Sequence, residues 1–391
     1  MGNVMNEGAT EASYSEIRKR VFSGIWDDLD PLANQIETDE KIPYDIVLPA
    51  LRKMGAFGLL VPREYGGSGL SIKQYLPIIA EFAKCQGGIR AMVHVHNSFA
   101  HALADIGSPA QCEEVLPGAA TGDRSIAFGL TEPGFGTGAD LGSTAARDGD
   151  DYVINGKKWM ITNSDIASHF MLMVKTQPKE VTALLVPRDT PGLEINRLPE
   201  TMGCKGGEHG VLTLTDARVN SSALIGSEGM GQEYLEKSLE ISRVLVAASS
   251  WGTSERCLEL SLAHAKARVT FGKSISERQA IQRYLAEMSI DVYAMRTMLL
   301  DAADKWDRGE RIPAEASMCK QFCLEAVGRV TDRALLIHGG IGYTRQLPIE
   351  RLYRDARLNW LEEGTPTIQY LVTARAMLDG FTFKDGFSAH A

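Results

Sequence analysis

The chain has 391 residues, 44% of them hydrophobic and 23% charged, an ordinary globular composition with enough length for two or three domains with cores of their own. Its 41 Lys and Arg against 50 Asp and Glu give a formal net charge of −9, and without a dense basic run this balance argues against a nucleic-acid binder. No apolar stretch reaches the roughly 20 residues that a membrane-spanning helix requires.

At the N-terminus, MGNVMNEGATEASYSE has neither the basic-then-apolar order of a signal peptide nor the arginine bias of a transit peptide. Gly2 sits in a poor myristoylation context, and the segment reads as a disordered leader. From about Ser13 to Ala120 the pattern is helical, broken at Pro62-Arg-Glu-Tyr-Gly-Gly67. The texture changes near Ile126. Phe170, Leu172 and Val174 alternate with other residues, Asn155-Gly156 reads as a hairpin turn, and Val211-Leu-Thr-Leu-Thr215 reads as a strand. A small β-domain up to about Gly231 follows from this.

Helical periodicity then returns. Leu258, Leu262, Ala265 and Val269 form one stripe; Leu285, Met288, Val292, Met295 and Leu299 a second; Cys319, Cys323, Ala326, Val330, Ala334 and Ile337 a third. Three long amphipathic helices with short connections predict an antiparallel bundle. The expected domains are 1–125 (helical), 126–231 (β) and 232–391 (helical bundle), with no internal repeat. The six cysteines, at 85, 112, 204, 257, 319 and 323, are scattered. Cys319 and Cys323 lie one helical turn apart on an apolar face, which favours core thiols over a metal pair or a disulfide. A reduced, cytoplasmic protein is expected. His94 and His96 diverge on a helix, so no metal site is expected there.

Chemistry concentrates near the C-terminal end, in Trp360-Leu361-Glu362-Glu363-Gly364-Thr365-Pro366-Thr367-Ile368-Gln369. A glutamate on an extended segment, beside glycine and close to Trp360, Leu361 and Ile368, is placed for partial desolvation, which raises its basicity. Alone, a Glu-Gly-Thr turn is weak evidence. It is accompanied by Phe128-Gly-Leu-Thr-Glu-Pro-Gly-Phe-Gly-Thr137, Lys158-Trp-Met-Ile-Thr-Asn163, Thr270-Phe-Gly-Lys273 and Ile337-His-Gly-Gly-Ile-Gly-Tyr343. In that order and spacing, from about Ile42 to Leu378, the set resembles the acyl-CoA dehydrogenase family of flavoenzymes.

The resemblance implies a mainly helical three-domain fold with a middle β-barrel and a C-terminal four-helix bundle, assembled as a homotetramer. It implies FAD as cofactor, an acyl-CoA substrate, electron-transfer flavoprotein as electron acceptor, and neither nucleic acid nor membrane as partner. Desaturating a thioester between Cα and Cβ needs a base for the α-proton and a hydride acceptor that no side chain can be, so a redox cofactor is obligatory. No strand-linked Gly-x-Gly-x-x-Gly opens a helix, which disfavours a Rossmann site.

By the same resemblance, Glu363 is the base and flavin N5 the hydride acceptor. Phe128, Leu130, Thr131, Gly136 and Thr137 would line the flavin, with Met160, Thr162, Thr365 and Thr367. Arg268, Phe271, Gln282, Gly339 and Gly340 would hold the adenosine end of a neighbouring subunit's FAD. Thr137, Gly364, Arg243 and Arg90 would meet substrate. Several positions depart from the family. Gly136-Thr137-Gly138 replaces a usual Gly-Ser-Asp, Met160 stands where an aromatic is usual with Trp159 one place early, and Leu336 replaces a glutamine. Some relatives carry the base on the first bundle helix, a position that is Ser242 here, followed by Arg243. Serine cannot act there without a base of its own, which favours Glu363. Glu362 reads as solvated or salt-bridged. Arg90, in the apolar run Gly88-Ile-Arg-Ala-Met-Val, matches the arginine that holds the distal carboxylate in glutaryl-CoA dehydrogenases, although Ala91 replaces a serine. A dicarboxylic acyl-CoA and an internal acid are equal readings of its partner. The rivals to a dehydrogenase are a flavin oxidase or lyase on the same scaffold, and a non-catalytic binding relative.

Overall fold

A computed structural model describes residues 6–136, 138, 140–198, 201–207 and 209–383. The chain divides into two compact units, one up to Leu239 and one from Glu240 onward. The first begins with helices α1 (Glu11–Gly24), α2 (Ala33–Asp39), α3 (Tyr44–Met54), α4 (Ile72–Cys85), α5 (Gly87–Ile106) and α6 (Pro109–Thr121). Local chemistry sets their ends. Ser71 and Ser108 each accept from the backbone three residues on, while Gln74 and Gln111 reach back, so both α4 and α6 start on capping boxes. α5 is buried on almost every side, its polar Arg90, His94, His96, Asn97, Ser98 and His101 included.

Eight strands follow: β1 (Ile126–Gly129), β2 (Thr144–Asp148), β3 (Asp151–Thr162), β4 (His169–Gln177), β5 (Glu180–Pro187), β6 (Leu193–Arg197), β7 (His209–Asn220) and β8 (Leu224–Ile225). They pair in the order β6-β7-β3-β2-β4-β5-β8, with β1 parallel to β4. β4 and β5 are buried on both faces. Phe170, Leu172, Val174, Leu184 and Val186 enter a core within the sheet domain. Met171, Met173, Val181, Ala183 and Leu185 enter one shared with Phe99, Leu103, Val115 and Leu116 of α5 and α6. The helical layer and the sheet therefore form one body.

The hairpin expected at Asn155-Gly156 lies elsewhere. β2 turns into β3 through Gly149-Asp150, with Asp148 opposite Asp151 and Gly149 at φ 61°. Asn155 and Gly156 sit inside β3 at a bulge against β7. A Cβ at Gly156 would strike Ser143, so the glycine serves close strand approach.

The second unit holds most of α7 (Gly231–Ala267), the two-residue strands β9 (Val269–Thr270) and β10 (Lys273–Ser274), and helices α8 (Gln279–Asp307), α9 (Pro313–His338), α10 (Ile349–Ala356) and α11 (Pro366–Leu378). The α9 stripe is buried as expected, with Cys319, Cys323, Ala326, Val330, Ala334 and Ile337 in the interior; on α8 Met288, Met295 and Leu299 are buried and Leu285 and Val292 half-buried. The α7 stripe is corrected. Ala265 is buried as expected, but Leu262 is exposed and Val269 lies past the helix end in β9, exposed as well; the inward face is Ser254, Cys257, Ser261 and Ala265, whose small side chains permit close packing. All six cysteines are buried and unpaired with one another. Among the described residues no helix is long and apolar enough to cross a membrane, and no cluster of ligating side chains could hold a metal.

Candidate active site

The turn that carries Glu363 is built from three elements of the second unit. After α10 the chain makes a short helical turn, Leu358–Trp360, held to α7 by Asn359 Nδ2 donating to Ser250 Oγ at 2.9 Å. Pro366 then opens α11 at its first turn, where a missing N–H costs nothing. Between them Glu363 and Gly364 both adopt left-handed backbone, φ 55° and 93°. The expectation of an extended segment is thus wrong: the backbone reverses here. For a glutamate this conformation costs on the order of 1 kcal/mol and persists only where its surroundings enforce it.

Side chains enforce it. The fully buried Lys320 of α9 donates to the carbonyls of Glu362 and Gly364. Gln369, also fully buried, donates to the carbonyls of Glu363 at 3.2 Å and Gly364 at 2.9 Å. Arg243 Nε donates to the Glu363 carbonyl at 3.4 Å. The Glu363 carboxylate itself accepts from Ser242 Oγ at 2.9 Å. Burial pushes the Lys320 ammonium down to about 8, against the charges of Glu363 and Glu362 and with that of Arg243. Glu363 and Glu362 are both half-buried, so partial desolvation does not by itself distinguish them. The contact with Ser242 does.

A second group sits in the first unit, where β1 ends. Trp159 N donates to Thr131 O at 2.8 Å, bringing the Thr131 loop onto β3. Beneath it Lys158 and Glu132 form a buried ion pair at 2.5 Å. Glu132 also accepts from the N–H of Gly142 at 2.5 Å and of Ser143 at 3.1 Å, and Lys158 also donates to Met173 O at 2.5 Å. Burial would raise the Glu132 carboxyl, but Lys158 and these donors outweigh it and hold it below its ordinary range. β3 bulges between Lys158 and Ile161, and Met160 is left-handed at φ 59°. Trp159 and Met160 therefore face a single partner residue, and Trp159 stays 40% exposed.

The remaining candidates fall as follows. Phe128 stacks on Phe99 at 4.2 Å, so its ring packs toward the helices. Leu130 is buried, Gly136 N donates to Asp140 at 2.7 Å, and Thr162 Oγ1 bonds His209 Nδ1 at 3.0 Å. Thr137 lies outside the described residues. Arg90 is 2% exposed on α5, near enough to the Tyr75 phenol that its charge opposes the upward push of burial there.

In the second unit, Arg268 and Phe271 belong to the β9–β10 hairpin, whose two-residue turn Phe271-Gly272 has both residues at positive φ. Phe271 is 98% exposed at its tip. Gln282 Nε2 caps the neighbouring Ser276 carbonyl at 3.0 Å. His264 stacks on His338 at 4.4 Å, which brings the end of α7 beside Gly339 and Gly340. Along α9 this group lies roughly 28 Å from Lys320 at 1.5 Å per residue, so the two groups cannot meet the same atom of one ligand. Thr365 precedes α11 and Thr367 lies in its first turn, both exposed. Sequence reasoning missed Lys320, Gln369, Glu132 and Lys158. For Lys320 a signal existed: its helical neighbours Ala316, Leu324 and Val327 are all apolar, a poor setting for a lysine without an assigned partner.

Three family models match in chain order: acyl-CoA dehydrogenase, N-terminal domain over residues 11–123, middle domain over 127–217, and C-terminal domain over 229–378. The chain belongs to the acyl-CoA dehydrogenase family. It is thus an oxidoreductase acting on CH–CH groups, with that family's three-domain fold. It is 33% identical over 373 residues to an acyl-CoA dehydrogenase of Bacillus subtilis, covering 93% of this chain and 97% of the relative. It is 32% identical over 368 residues to a 3-(aryl)acrylate reductase of Clostridium sporogenes, again 93% and 97%. Among solved structures, butyryl-CoA dehydrogenase from Megasphaera elsdenii superposes with a TM-score of 0.91 at 28% identity, covering 95% of this chain and 99% of that one.

Proposed function

We propose that this acyl-CoA dehydrogenase removes the α-proton of its thioester with the Glu363 carboxylate, forming the Cα–Cβ double bond. The observation that carries the reading is the enforced left-handed turn at Glu363, with its carboxylate held by Ser242 Oγ. Such a turn is maintained at a cost, and a catalytic carboxylate is the reason to maintain it. Ser242 Oγ acts as a donor to that carboxylate, so the two positions that relatives use for a base converge here on one acid.

The residues present fit a flavin. Thr131, Trp159, Met160 and Thr162 put hydroxyls and accessible apolar side chains at one end of β3, suited to a flat heterocycle, and these with Thr365 and Thr367 are the residues proposed to hold it. FAD, when bound, supplies the acceptor for the β-hydrogen and its electron pair. Arg268, Phe271, Gln282, Gly339 and Gly340 would serve the adenosine end of FAD in a second subunit of a homotetramer, with electron-transfer flavoprotein as the outlet for electrons. Arg243, Thr137 and Gly364 would contact the thioester substrate.

The acyl group is proposed to carry a distal carboxylate, met by Arg90, whose planar fork can donate two hydrogen bonds to it. Anaerobic bleaching of the holoenzyme with matched monocarboxyl- and dicarboxyl-CoA thioesters tests both parts. Loss of the oxidised flavin band with saturated thioesters is expected, fastest with the dicarboxyl series. A band that no saturated thioester bleaches overturns the dehydrogenation.

A further inference from the structure

We propose that Lys320 is the positioning residue of the base: its ammonium, buried on α9, holds the turn that aims Glu363. The proposal rests on the reading of Glu363 as base. Its ground is the arrangement of three successive carbonyls. Those of Glu362 and Gly364 turn to Lys320 Nζ on α9, that of Gly364 shared with Gln369 Nε2, while that of Glu363 turns to Gln369 and Arg243. Holding all three carbonyls this way, with Lys320 alone on that of Glu362, fixes the left-handed backbone at Glu363, whose carboxylate meets Ser242.

An ammonium suits the task because it offers three donors and no acceptor, so one group can grip both flanks of the turn. It does more than a neutral donor would. Fully buried, it lies within electrostatic reach of Glu363 and Glu362 from the turn and of Arg243 from α7; α11 adds only the neutral Gln369. A cation near a carboxylate favours its ionised form and lowers its basicity. Burial in turn makes Lys320 release its proton near pH 8 rather than in the usual lysine range, which couples the grip to pH within the working range of an enzyme.

The test compares wild type, Lys320→Arg and Lys320→Met as FAD holoenzymes, reading kcat against pH with the substrate that bleaches wild type best. An infrared titration of the Glu363 carboxyl, assigned with Glu363→Gln, gives a readout independent of turnover. Wild type is expected to lose rate on an alkaline limb near pH 8. Lys320→Arg keeps the cation and should move that limb upward. Lys320→Met should lack it, raise the carboxyl titration of Glu363, and lower kcat on the order of 10²-fold through misplacement of the base.

Wild-type kcat and pH limbs in Lys320→Met overturn the proposal. So does an equal loss in both variants with the Glu363 titration unmoved, which marks a packing role. Should Lys320→Met fail to fold, the alkaline limb of Lys320→Arg decides, and an unmoved limb overturns the proposal. Full turnover in Glu363→Gln instead removes the base assignment itself, an outcome distinct from a neutral Lys320→Met in an enzyme that Glu363→Gln inactivates.

Discussion

Glu363 and Glu362 are adjacent acids of similar exposure, and the structure separates them by what their atoms touch. Glu363 meets Ser242 through its carboxylate, while Lys320 takes the Glu362 carbonyl. Glu363→Gln should therefore retain FAD and bind acyl-CoA yet lose roughly 10²–10⁴-fold in kcat, whereas Glu362→Gln should stay near wild type. Equal losses in steady-state turnover would mean the base is misassigned. Arg90 permits a second test at this scale. Arg90→Ala should lower kcat/KM for a dicarboxyl-CoA substrate by orders of magnitude, because removing one partner of a buried pair costs about 3–5 kcal/mol. A simple acyl-CoA of equal length should be spared. Equal harm to both substrates, or a lower melting temperature as the main effect, would make Arg90 a structural residue.

Between β1 and β3 the Glu132–Lys158 pair acts as a latch on the Thr131 loop, and its energetics can be read from stability. Lys158→Met leaves Glu132 buried without its cation and should destabilise the protein by about 3–5 kcal/mol in denaturant melts. Adding Glu132→Gln should recover part of that loss, because no buried charge remains. The sign of the pH effect follows from the depressed Glu132 carboxyl. Its stabilisation is present above the ordinary glutamate range and is lost as pH falls through the folded-state value, so the gap between wild type and Glu132→Gln should narrow on acidification. The same elements show what the sequence made legible. The strands at Phe170–Val174 and Val211–Thr215 and the stripes of α8 and α9 were readable because apolar periodicity records which face is buried. Asn155-Gly156 misled because a glycine demanded by a bulge and one demanded by a turn look alike in one sequence. The α7 face misled because Ser254 and Ser261 are small and polar and carry little hydrophobic signal. The family was legible through its ordered motifs, but the grip on the Glu363 turn was not: Lys320 lies 43 positions upstream on another helix, and only the fold brings the two together.

Several large apolar side chains of the second unit remain uncovered within a single chain, among them Phe271 at 98%, Tyr343 at 86% and Tyr293 at 70% exposure. Fully burying one phenylalanine side chain contributes about 1.5–3 kcal/mol, so leaving Phe271 at the tip of a two-residue turn is costly unless something meets it. The hairpin is built to display that ring, since the turn places Phe271 itself at positive φ, where an aromatic residue is disfavoured. The proposed homotetramer, with FAD bound between subunits, gives the ring a partner. Purified protein should accordingly be yellow with stoichiometric, non-covalent FAD, and should run at four times the chain mass in light scattering. Phe271→Asp should shed FAD on gel filtration and shift toward smaller species, while far-ultraviolet circular dichroism of each chain stays unchanged, because the substituted side chain touches no core. A colourless wild-type protein that takes up no FAD on reconstitution would remove the cofactor assignment, and a Phe271→Asp variant with full FAD content would show that the displayed ring serves another purpose.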